Sequence, residues 1–217
     1  MRINYRSVLP VILVALLGSI LVLPTFSGNT TGKAATSPAK EEALRDAMRK
    51  LWEDHITYTR LFIVSAAADL PDKQATTDRL LQNQVDIGNA IKPYYGNDAG
   101  DKLTALLKTH ITTAAEVVAA AKVNDKRKLD DANKRWFANA DEISTFLSSA
   151  NSRNWPAADM KQMMHEHLNL TTTEAVAQLS KDWQGSINAY DRVHEQILHM
   201  ADMLSAGIIK QFPAKFS

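Results

Sequence analysis

The sequence predicts an all-α body, a six-helix bundle built from three repeated antiparallel α-hairpins and preceded by an N-terminal signal or anchor segment. Three observations predict it. From Pro38 onward apolar residues recur at helical spacing, and no stretch sustains the alternation of a half-buried strand. Gly and Pro are scarce in that body and fall between the periodic stretches. The chain also repeats itself: "LWEDHITYTR", "LLKTHITTAA" and "MMHEHLNLTT" set a histidine three times in nearly the same helical context.

Each helix has its own signals. Ser37-Pro38 starts the first, with Pro in the first turn where its missing N–H costs nothing. Leu44, Met48, Leu51, His55 and Phe62 carry its apolar stripe to about Ala68, where "DLPDK" breaks the chain. A second helix runs from near Lys73 to Lys92 and is expected to end at Pro93. After the turn "YYGNDAG" a third spans about Asp98 to Lys122, with Leu103, Leu107, His110, Ala114, Val117 and Ala121 on one face. A fourth starts after "VND" and runs to about Ala150. A fifth starts after "NSRNWP", from about Pro156 to Ser180, and a sixth continues to about Gln211, before Pro213. Connections this short make consecutive helices antiparallel neighbours.

The N-terminus reads differently. In "MRINYRSVLPVILVALLGSILVLPTF", Arg2 and Arg6 precede an apolar run from Val8 to Phe26. Positive charge ahead of such a run holds the start in the cytoplasm and directs the rest of the chain out of it. The expected organisation is a signal peptide or membrane anchor over 1–27, a linker over 28–37 and the bundle over 38–217. The bundle is then periplasmic, extracellular or tethered to the outer face of the cytoplasmic membrane, and touches a membrane only through the N-terminal segment.

Composition excludes several function classes. The formal net charge of the 217-residue chain is +1, with both signs interspersed and no basic block, which argues against a nucleic-acid partner. Cysteine is absent, so there is no disulfide framework, thiolate metal site or cysteine nucleophile. No Gly-rich phosphate loop, nucleophile elbow or dinucleotide fingerprint occurs, and no residue is assigned a catalytic role.

The repeat points to a candidate site. His55 and His110 are 55 residues apart, as are Asp86 and Asp141; in the third copy His167 takes the histidine place and His194 the aspartate place. In each hairpin the two members lie about equally far from the turn, and at about 1.5 Å per residue they sit at one height. Imidazole and carboxylate groups projecting inward from facing helices are how bundles build metal sites, and this set suits zinc, iron, manganese or copper. A second, thioether-rich group is Met163 on the fifth helix with His199 and Met203 on the sixth, a copper-friendly combination. Three functions are compatible with these residues: an exported protein that binds a transition metal without catalysis, an envelope structural or interaction module whose His/Asp pairs only fix helix register, and a hydrolase or transferase using the polar layer as acid and base.

At "LWEDHITYTR", "LLQNQVDIGNAIKPYYG", "HLNLTTTEAV" and "GIIKQFP" the chain resembles a family of small exported bacterial all-helical proteins, over roughly Glu42 to Phe216. Some members carry genome labels such as glycosyltransferase or acetylglutamate kinase. Those activities call for α/β nucleotide-binding regions, of which no pattern is visible here. The resemblance implies an all-helical exported protein and supplies no catalytic residues.

Overall fold

The computed structural model describes residues 37–217, and the expected signal or anchor segment and the linker up to residue 36 lie outside them. Six helices carry the chain: α1 (Pro38–Ala68), α2 (Lys73–Tyr95), α3 (Asn97–Lys122), α4 (Lys126–Ala150), α5 (Ala157–Leu179) and α6 (Trp183–Gln211), with a short 3₁₀ turn after them at Pro213–Lys215. No strand occurs among the described residues. None of the described helices is long and apolar enough to cross a membrane.

Each helix packs on the next, and α6 closes back on α1, so the six form a ring. The odd-numbered helices α1, α3 and α5 also touch one another across the middle. Apolar side chains drive this closure. Met48, Trp52 and Ile56 of α1 join Leu103 and Leu107 of α3, Ile143 of α4, Leu168 of α5 and Ile197 and Ile208 of α6 in one core. A separate small cluster of Ile63, Val118 and Ala175 lies toward the other end of the odd helices.

The three turns at that end share one conformation. Asp69, Asn124 and Lys181 adopt the left-handed backbone region, with φ of 54°, 55° and 63°. In each, the next backbone N–H returns to a carbonyl five residues back: Leu70 to Ser65, Asp125 to Ala120, Asp182 to Ala177. These bonds satisfy carbonyls that a helix end would otherwise leave unpaired. Asp125 and Asp182 then cap α4 and α6 by accepting from the N–H of Lys128 and Gly185.

At the opposite end Gly96 alone joins α2 to α3. The two helices approach so closely that a Cβ on Gly88 would stand 2.6 Å from the Gly100 carbonyl oxygen and 1.9 Å from Thr104 Oγ1. Helix α2 does not stop at Pro93 but runs through it to Tyr95. Pro93 deprives only the carbonyl of Asn89, an exposed residue in the last turns, of its helical donor.

Candidate functional site: a buried histidine layer

Three of the four histidines of the sequence pattern meet at mid-height. His55, His110 and His167 come from α1, α3 and α5 and are 3–4% exposed. The His167 ring lies 5.7 Å from that of His55 and 6.4 Å from that of His110, centroid to centroid. They converge because each lies on the face that its helix turns toward the other two odd helices.

Their partners are carboxamides rather than carboxylates. His110 Nδ1 lies 3.1 Å from Asn139 Oδ1, and His167 Nδ1 lies 3.1 Å from Gln196 Oε1. Both amide nitrogens donate to a backbone carbonyl one turn before the histidine: Asn139 to Leu106 and Gln196 to Met163. With the nitrogen so engaged, the amide oxygen faces the ring and Nδ1 carries the hydrogen that it accepts. Nε2 of both rings is therefore an unprotonated acceptor, on the flank of the ring opposite the carboxamide.

His55 is held by two residues. Asn83 donates to the Leu51 carbonyl, and Gln84 Nε2 faces His55 Nδ1 at 3.3 Å. Gln84 Nε2 also reaches the Leu80 carbonyl and Asn83 Oδ1, while Gln84 Oε1 is buried without a partner. In every case the histidine and its carboxamide are 29 residues apart.

The layer is uncharged. Burial pushes the imidazolium form of all three rings out of the neutral range: His110 is lowered to about 3 and His167 to about 4. His55 is lowered well below its ordinary value, first by burial and then by the two neighbouring histidines. Neutral imidazole is the form that binds metals.

The remaining expected residues lie elsewhere. Asp86 and Asp141 do not pair with His55 and His110. Asp86 is half-buried on the outer face of α2, where Gln82 donates to it. Asp141 takes Lys161 and His165 from α5 at 2.8 and 2.7 Å, and Lys161 foremost holds its carboxyl below the usual range. His194 is not level with His167 in the core; it lies on the surface of α6, 2.9 Å from Glu53. Ile187, two turns before it on the same face, is exposed as well, and the buried stripe of α6 runs through Ala189, Val193, Ile197 and Met200. Of the thioether group, His199 is exposed, while Met163 and Met203 pack against the core.

A constant shift along the chain would have found the carboxamides. Advancing the second copy by the 57 residues that carry His110 to His167 carries Asn139 to Gln196, whereas His194 needs a shift of 53. As placed, no three His, Asp or Glu side chains among the described residues form a group that could hold a metal ion. The chain matches no protein-family model, no curated protein and no solved structure.

Proposed function

We propose that the protein binds a transition metal ion, without catalysing a reaction, through Nε2 of His55, His110 and His167. The observation that carries this reading is the convergence of three neutral, buried imidazoles, each with its Nδ1 against a carboxamide. A carboxamide on Nδ1 orients a ligand ring and sets its tautomer. Three imidazoles on a tetrahedral ion, at metal–nitrogen distances of about 2.0–2.1 Å, bring their ring centroids to roughly 5–5.5 Å. For His167 with His55 and with His110, at 5.7 and 6.4 Å, this calls for a contraction of about an ångström or less. His55 must also carry its hydrogen on Nδ1, and the unpartnered Gln84 Oε1 is the acceptor that a turned carboxamide offers it. Three histidines leave one tetrahedral position open for water or a small ligand.

The reading treats the three helix pairs as copies of one hairpin. In each pair the left-handed turn residue stands 14 positions past the histidine and the carboxamide stands 29 positions past it. The same reading keeps the protein outside the cytoplasmic membrane, on the strength of Arg2, Arg6 and the apolar run after them.

A second reading rests on the same hydrogen bonds. Asn139 and Gln196 each meet both an imidazole and its helix backbone, and on α2 Asn83 and Gln84 divide these two contacts, which pins the register of each pair without any metal. Elemental analysis of the protein, purified without chelator or tag histidines, separates the two. Metal binding predicts one transition-metal ion per chain, lost in His110→Ala/His167→Ala and regained by adding metal only to the wild type. Register pinning alone predicts no bound metal and no thermal shift with zinc, copper, iron or manganese. A metal retained by the double variant overturns the assignment of these ligands.

A further inference from the structure

Directly beyond the histidine layer, toward the three left-handed turns, the bundle holds a cavity of about 110 Å³. Its walls repeat around the centre. Thr59, Ala114 and Thr171, each one turn past a histidine, line it nearest the layer, and Ile63, Val118 and Ala175 line it one turn further on. Leu80, Ile111, Val117 and Trp136 add to a largely apolar surface, to which Asn133 contributes a carboxamide and no charged side chain contributes.

Two of the lining side chains have unmet hydrogen-bonding groups. Trp136 and Thr171 are 3% and 6% exposed, and neither the Trp136 indole Nε1 nor Thr171 Oγ1 has a partner. Thr59 behaves otherwise. It holds the equivalent place on α1 and donates to the His55 carbonyl at 2.8 Å, as threonine hydroxyls in helices commonly do. Thr171 makes no such bond back to its helix. An indole N–H and a hydroxyl withdrawn from water without partners are costly to a fold, and an acceptor brought to them removes that cost.

We propose that this cavity is a binding site for a small, uncharged, mainly apolar molecule carrying one hydrogen-bond acceptor, such as a ketone, aldehyde or ester. The apolar part fills the space between Ala114, Val118 and Ala175, and the oxygen is received at the wall formed by Trp136 and Thr171. A carboxylate is excluded, because no cation lines the cavity to compensate a buried charge. The volume limits the ligand, since an apolar cavity of about 150 Å³ admits a ring the size of benzene. The site does not depend on the histidines binding metal, and it is tested on metal-free protein.

Cyclopentanone is the probe, and methylenecyclopentane, in which a CH2 group replaces the oxygen, is its control. The four indole N–H resonances report the position, with that of Trp136 assigned by its loss in Trp136→Phe. Cyclopentanone is expected to shift the Trp136 resonance saturably and to leave those of Trp155 and Trp183 in place. The alkene is expected to bind about tenfold more weakly, the worth of one hydrogen bond to a buried donor. Thr171→Val, which preserves shape, should weaken the ketone and leave the alkene unchanged. Ala114→Phe should abolish both, with a melting curve to confirm that the variant folds. No saturable shift at Trp136, or an alkene bound as tightly as the ketone, overturns the proposal.

Discussion

His110 and His167 stay neutral because charging them in the core costs more than one carboxamide contact returns. This fixes the sign of a pH dependence. In the unfolded chain the same histidines titrate near the ordinary value of about 6.5. Below that pH the unfolded chain takes up protons that the native bundle refuses, so stability is fully present above it and falls as the pH drops. Each of the three groups contributes up to about 1.4 kcal/mol per pH unit, and together they contribute about 4 kcal/mol per unit. Acid unfolding is therefore expected between about pH 6 and pH 4. Urea midpoints measured across that range check it, and His167→Gln should reduce the slope by about a third. The sequence shows the three histidines plainly, by repetition. It does not show their partners, because Asp86 and Asp141 recur with the same spacing as Gln84 and Asn139. Only depth in the bundle separates the two columns, and a buried carboxylate would have changed the charge of the layer.

At the scale of the helices, periodicity and breakers were sufficient. The left-handed turns fall where "DLPDK" and "VND" interrupt the apolar stripes, and the helix ends lie within about two residues of the positions that Pro and Gly suggest. Two features were not legible. Pro93 looks like a stop until the exposure of Asn89 is known, and Ile187 looks like a core residue until its helix is rotated into place. The contact between α2 and α3 is equally hidden in the sequence, since it depends on what faces Gly88. There a methyl group meets a threonine hydroxyl and also the Gly100 carbonyl, and the carbonyl cannot yield without moving a helix. Gly88→Ala is expected to destabilise the fold by about 1–3 kcal/mol through overpacking, despite the better helix propensity of alanine. A chemical-denaturation curve measures it, and a stabilised variant would show that the two helices can part cheaply.

The described residues form a closed ring around a polar layer, with the core on one side of that layer and the cavity on the other. One contact joins the first helix to the last two. Arg60 on α1 reaches Glu174 on α5 at 2.7 Å and the Ser186 hydroxyl and carbonyl on α6, and it lies over the Tyr190 ring. Glu174 is buried, which raises its carboxyl pKa, and the Arg60 guanidinium opposes that rise. This contact ties the last hairpin to the first, where no chain connection does. At the opposite end the Ser37 backbone N–H donates to the Phe216 carbonyl, and Lys40 reaches Ser217. The described chain thus finishes beside the point where it starts, and the ring has no privileged opening. A short glycine-serine bridge from Ser217 to Ser37, with new ends cut at Asn124 in an exposed turn, should give a circular permutant with the same helices and the same core. Its circular dichroism and cooperative melting would show whether the order in which the hairpins are joined matters to the fold, or only that all three are present.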